Sequence, residues 1–274
     1  MMLARVLSAV LLAPLAIAAV LGLPTAALGA LAAPLLLLAL WEWISLTGVT
    51  ALPTRRLVLL ANAAAIALLA LFGWPLLASP VILAGVLWWL VAGYWTWRWR
   101  RRALAELADV RIRRKLMAGS FAVIPAWAAL VALHGDSDLG PRWALFALCL
   151  VWLTDIGGFL VGSRFGHRRL APQISPNKTW EGLWGGFAAA LLGAVAALPM
   201  LGLDWSHLPT LLVLAAVTAG FAVLGDLFES LLKRVAGIKD SGQVIPGHGG
   251  MLDRVDSLLA ALPVFAALRW GLGL

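Results

Sequence analysis

Nine stretches of mostly apolar residues follow one another along the chain, at 3–22, 26–46, 57–74, 79–97, 116–133, 142–162, 180–202, 208–228 and 255–273. Each is close to the ~20 residues that a helix needs to cross the hydrocarbon of a bilayer. Turns marked by proline or glycine, such as Leu23-Pro24, Trp74-Pro75 and Gly140-Pro141, punctuate them. Composition points the same way: 62% of residues are hydrophobic and 12% charged, against about 25% charged in a soluble domain. The reading is an all-α, polytopic integral membrane protein of about nine transmembrane helices, forming one integral membrane domain over residues 1–274. The first stretch, with Arg5 ahead of an apolar run and small residues at Ala26 to Ala30, also has the form of a secretory signal. The charge pattern works with that stretch retained, and retention is the expectation.

The basic residues give the bundle a direction. Arg5 precedes the first stretch, and Arg55 and Arg56 lie between the second and third. Arg98, Arg100, Arg101, Arg102, Arg111, Arg113, Arg114 and Lys115 surround the connection from the fourth to the fifth. Arg164, Arg168, Arg169 and Lys178 lie between the sixth and seventh, and Lys233, Arg234, Lys239 and Arg254 between the eighth and ninth. These are nineteen of the 21 lysines and arginines, and the alternate connections keep Arg142 and Arg269. Basic residues favour the cytoplasmic side, so the N-terminus is expected to be cytoplasmic and the C-terminus outside. The same distribution argues that the net charge of +8 serves membrane orientation, and no nucleic acid partner is expected. The cluster at 98–115, beside Trp95, Trp97 and Trp99, reads as an interfacial anchor near anionic lipid. The lone Cys149 lies in an apolar run and reads as a packing residue. No Cys/His cluster points to zinc or iron–sulfur chemistry.

Polar groups divide the chain into two portions. Residues 1–140 hold five spans with few polar groups; Glu42, near the inner end of the second, reads as an interfacial acid. Residues 141–274 hold the catalytic candidates. Asp155 lies in the inner half of the sixth span, SPNKTWEG (175–182) leads into the seventh, GDLFESLLKR (225–234) closes the eighth and GGMLDRVDS (249–257) opens the ninth. All four segments come to the cytoplasmic face. Acids within or beside membrane helices are costly and are functional candidates by default. Asp226, Glu229, Ser230 and Lys233 stand at i, i+3, i+4 and i+7 and share a helix face, while Asp253 and Asp256 are three apart. Clustered carboxylates suit Mg2+, which takes oxygen ligands and retains waters and substrate phosphates. Neighbouring lysines and arginines complement phosphate oxygens. Gly242, Gly247, Gly249 and Gly250 permit close backbone approach. Taken singly, each feature has a plain structural explanation. The acidic stripe could be an ion-pair face with Lys233 and Arg234, and Asp155 a bonded polar group between helices. Ser175 and Thr179 could cap the seventh helix, and His248 and His167 could be loop residues. Convergence on one membrane face is what argues for a site.

The run SLLKRVAGIKDSGQVIPGHGGMLDRVD (230–256) resembles the signature of the phosphatidate cytidylyltransferases, or CDP-diacylglycerol synthases. Ser230, Lys233, Arg234, Lys239, Asp240, His248, Gly249, Gly250, Asp253, Arg254 and Asp256 fill its fixed positions. TDIGGFLVGSRFG (154–166), ISPNKTWEG (174–182) and GDLFES (225–230) are similar to the same family. The detailed resemblance covers roughly 150–257, and the first five spans match in general character. It implies conversion of CTP and phosphatidate to CDP-diacylglycerol and pyrophosphate. It also implies Mg2+, a second metal such as K+, and a homodimer. Carried onto this chain, it makes Asp226, Asp253 and Asp256 the metal-bearing catalytic acids, with Ser230 and Lys233 as phosphate-binding neighbours. Arg234, Lys239 and Lys178 are candidates to offset triphosphate charge, and Ser175, His248 and Arg254 complete the expected substrate-binding set. Asp155 is expected to support the site.

The expected location is a bacterial-type cytoplasmic (inner) membrane, with the active site facing the cytoplasm, where soluble CTP meets phosphatidate among the membrane lipid. The lipid phosphate is itself the nucleophile, so catalysis needs positioning and charge stabilisation and no covalent enzyme intermediate. Three other functions compete with this one. A transporter is disfavoured because the polar cluster lies at one face, with little polar lining through the outer half. A headgroup transferase acting on CDP-diacylglycerol would carry a DG-x2-AR motif, which is absent. A scaffold would leave the co-located carboxylates unexplained.

Overall fold

A backbone in hydrocarbon has no water to bond, so each span must close its hydrogen bonds internally. The computed structural model describes residues 13–73, 76–99, 112–242 and 249–274, and helices dominate them. They are α1 (Ala13–Gly22), α2 (Thr25–Leu46), α3 (Leu52–Leu68, continued by a π-helical turn Leu69–Gly73), α4 (Ala78–Trp99), α5 (Ile112–Gly135), α6 (Gly140–Phe165), α7 (Trp180–Ala197), α8 (Leu208–Val235) and α9 (Leu252–Gly271). Among the described residues, seven helical segments are long and apolar enough to cross a membrane, covering α2 to α8. α1 is a shorter apolar helix as described, and α9 falls outside the seven, carrying Asp253, Arg254, Asp256 and Arg269. Arg100, Arg101, Arg102, Arg111 and His248 lie outside the described residues.

One element departs from the all-α expectation. Between α6 and α7, β1 (Arg169–Ala171) pairs antiparallel with β2 (Ser175–Thr179) in a small hairpin. Pro172 and Pro176 exclude a helix here. The backbone amides of His167 and Arg168 donate to Glu181 in the first turn of α7 at 3.1 and 3.2 Å, tying the entry to the hairpin. Thr179 then caps α7, accepting from the Gly182 amide at 3.1 Å.

The connections collect at two ends. At one end Trp43 Nε1 of α2 donates to the Lys115 carbonyl of α5 at 3.0 Å, and Arg234 Nε of α8 to the Ile174 carbonyl of the hairpin at 3.2 Å. At the other, Thr25 bonds His134 at 2.9 Å, Arg269 pairs with Asp136 at 2.7 Å, and Arg142 donates to the Met200 carbonyl at 3.1 Å. Two packing devices hold the site end. Phe228 of α8 sits 5.8 Å from each of Trp43, Trp88 and Trp89, which anchors α8 against α2 and α4. α6 and α7 approach so closely that a Cβ on Gly157 would collide with the Gly185 carbonyl and with Ala189. Small residues commonly allow such approach between membrane helices.

Candidate active site

The last three turns of α8 carry the acidic stripe, and its members find different partners. Asp226 accepts Lys178 of β2 at 2.5 Å and, more loosely, the Ser230 hydroxyl at 3.4 Å. Two turns on, Lys233 joins two helices: its Nζ lies 2.5 Å from Glu229 Oε2 and 2.7 Å from Asp253 Oδ1 of α9. Glu229 is buried. α8 can lie this close to α9 because Gly225 has no side chain; a Cβ there would meet the Asp256 carbonyl.

Asp253 and Asp256 therefore do different things. The second oxygen of Asp253 accepts the backbone amides of Gly250 (2.8 Å) and Ser241 (3.2 Å), fixing the chain just before α9. Gly249, at φ +81, makes that turn in the left-handed region. Asp256 accepts its neighbour Ser257 N at 2.7 Å, and its carboxylate is in electrostatic range of Asp226 and Asp155. Asp155 in turn senses Lys178 and Asp226.

Of these groups, Asp155, Lys178 and Asp226 line a cavity of about 730 Å³ between α6, the hairpin, α7 and α8, together with Arg169, Ser175 and Asn177 among others. Ser175 thus faces the cavity, while Thr179 does the capping. Arg234 clasps the hairpin from an exposed position, Arg254 lies on the exposed side of the first turn of α9, and Lys239 is exposed beyond α8. Arg234 and Lys239 are thus placed differently from Lys178 and Lys233, which pair with the carboxylates.

Glu42 requires a correction. It reads from sequence as an interfacial acid, yet it is 2% exposed. Its carboxylate accepts the Ser241 hydroxyl (2.9 Å) and the amides of Met251 (3.0 Å) and Leu252 (2.8 Å). The first N–H groups of a helix lack internal partners, and α9 has no side-chain cap of its own. An acid from the N-terminal portion supplies one. Gly242 and Gly250 make room, since a Cβ on either would collide with the Glu42 carboxylate.

Among the described residues no three acids, histidines or cysteines already form a ligand set for a metal. The donor chemistry nevertheless fits a hard cation. Asp155, Asp226, Glu229, Asp253 and Asp256 crowd one end of the bundle, and Lys178 and Lys233 are their lysine partners. Mg2+ needs only one or two protein carboxylates when substrate phosphates and waters complete its shell.

The chain matches the model of the Cytidylyltransferase family over residues 3–271. It is similar to the phosphatidate cytidylyltransferase of Pseudomonas aeruginosa, 38% identical over 280 aligned residues that cover 98% of this chain and 97% of that one. The enzyme of the same name from Haemophilus influenzae is 45% identical over 125 residues, 44% of this chain and 43% of the relative. That of Staphylococcus saprophyticus is 45% identical over 137 residues, 50% of this chain and 52% of the relative.

Proposed function

The chain belongs to the cytidylyltransferase family, and from that premise we propose that it transfers the cytidylyl group of CTP to phosphatidate. A phosphate oxygen of phosphatidate attacks the α-phosphorus of CTP, a new P–O bond forms, and the bond to the β-phosphate oxygen breaks. The products are CDP-diacylglycerol and pyrophosphate.

One observation carries the reading from sequence to chemistry. Blocks far apart in the chain, at Asp155, Lys178 and Asp226, converge on one cavity at a single end of the bundle, with the Asp256 carboxylate in electrostatic range of them. That end supplies both signs of charge that a phosphoryl-type transfer uses. Lys178 and Lys233 neutralise phosphate oxygens when they exchange their carboxylate partners for substrate. Asp226 and Asp256 face each other's field and are the proposed Mg2+ ligands, joined by Asp253 once Lys233 turns to the nucleotide. Mg2+, with a second metal such as K+, would shield the triphosphate and stabilise the leaving pyrophosphate. Ser230 and Ser175 offer hydroxyl donors nearby. Asp253 and Glu42 together keep the start of α9, and so Asp256, in place.

The proposal includes a homodimer in a cytoplasmic (inner) membrane, with the N-terminus and cavity toward the cytoplasm; the arginine bias supports that orientation. Pyrophosphate release by purified protein in detergent tests the reaction. Release should require CTP, phosphatidate and Mg2+ together. Release from CTP and Mg2+ without lipid would make the protein a nucleotide hydrolase instead.

A further inference from the structure

The polar cavity has an apolar neighbour. A second cavity, of about 270 Å³, lies between α4, α7 and α8 and is walled by Gly93, Phe187 and Gly220 among others. It shares Leu170, Leu183 and Val223 with the cavity that holds Asp226 and Lys178. The two cavities therefore adjoin across these three residues, one partly charged and one apolar. One polar group on the apolar wall, the Thr96 hydroxyl, is already satisfied by the Ala92 carbonyl of its own helix at 2.8 Å. Trp97, which lines it, is 61% exposed, as befits an aromatic side chain near the headgroups.

We infer that the α4–α7–α8 groove is the subsite for one acyl chain of the phospholipid substrate, a role that rests on the cytidylyl-transfer reading. CTP has no apolar part to place there. Phosphatidate is an amphiphile whose phosphate must reach Lys178 and Asp226 while its chains stay in hydrocarbon. A groove that adjoins the charged cavity across Leu170, Leu183 and Val223 meets both demands without lifting the lipid from the membrane. Gly93 and Gly220 set its width. A Cβ on Gly93 would press on Leu224 Cδ2 at 3.1 Å, whereas a Cβ on Gly220 would make ordinary contact with Phe187 at 3.6 Å. Gly220 is thus the position where a larger side chain enters the groove with little disturbance of the helices.

The test compares kcat/KM for dioleoyl and dihexanoyl phosphatidate in the wild type and in Gly220→Leu. The ratio of long-chain to short-chain activity should fall about tenfold or more, the scale on which filling an apolar subsite discriminates. The ratio is independent of how much protein is folded, and an unchanged ratio would overturn the subsite. A wild type that transfers cytidylyl groups to neither lipid would instead remove the underlying function. Should Gly220→Leu fail to fold, phosphatidate with a diazirine in its acyl chain is photolysed with the wild type. Labelling of residues 220–227 that excess phosphatidate abolishes and phosphatidylcholine does not is expected. Equal competition by phosphatidylcholine would make the groove a seat for bulk lipid and overturn the proposal.

Discussion

Asp226 and Lys178 show at single-residue scale how this site holds charge beside a membrane. They come from a helix end and a hairpin, and meet at 2.5 Å on the cavity wall. If they act as a unit, removing either spoils the same arrangement. Lys178→Met and Asp226→Asn should each lower kcat/KM by about tenfold to a hundredfold, the scale of a charged hydrogen bond. The double variant should be little worse than the poorer single one. Fully additive losses in a double-mutant cycle would show that the two residues work independently. Sequence spacing pointed to Asp226 but could not pair it with Lys178, because the pairing depends on a hairpin folding back over α8. Spacing also grouped Asp253 with Asp256. Their three-residue offset shares a helix face, yet Asp253 meets Lys233 and two backbone amides while Asp256 sits in the field of Asp226 and Asp155.

At the scale of elements, the start of α9 is held by an acid from another portion of the chain. Glu42→Gln keeps the shape but replaces one acceptor oxygen with a donor, leaving two N–H groups in conflict. The expected loss is about 2–3 kcal/mol, read as a lower thermal midpoint in detergent and reduced turnover. A variant with an unchanged midpoint and unchanged activity would contradict the cap. This element was not legible in sequence. Glu42 lies at the end of an apolar span, and its partners are backbone amides and a serine about 200 positions away. No side-chain pattern announces backbone donors. The α6–α7 contact is similar: Gly157 stood in a quoted block, but what it would touch, Gly185 and Ala189, depends on the crossing. Gly157→Leu should drive these helices apart, by about 1–3 kcal/mol or more for overpacking. A monodisperse, normally expressed variant on size exclusion would count against the close contact.

For the whole molecule, the all-α, polytopic character was legible from apolar length, with nine spans expected and seven long apolar helices found among the described residues. That signal reflects the bilayer itself and acts along the chain without tertiary detail. The hairpin, the aromatic packing around Phe228 and the shape of the two adjoining cavities depend on contacts between segments and were not readable. The orientation makes its own prediction. With Cys149 replaced, a cysteine at Lys239 should react with a membrane-impermeant maleimide in inverted vesicles, and one at Ser137 in intact spheroplasts. The reverse pattern would put the catalytic end outside.

The central claim is that the converging carboxylates and lysines carry cytidylyl transfer to a lipid phosphate. The most direct measurement supplies purified protein with CTP labelled at the α-phosphate, phosphatidate and Mg2+, and follows label into extracted lipid. Label should enter lipid only when phosphatidate and Mg2+ are both present, and should be lost in a folded Asp256→Asn variant. A folded wild type that leaves all label in water-soluble nucleotide, or an Asp256→Asn variant as active as the wild type, would contradict the account.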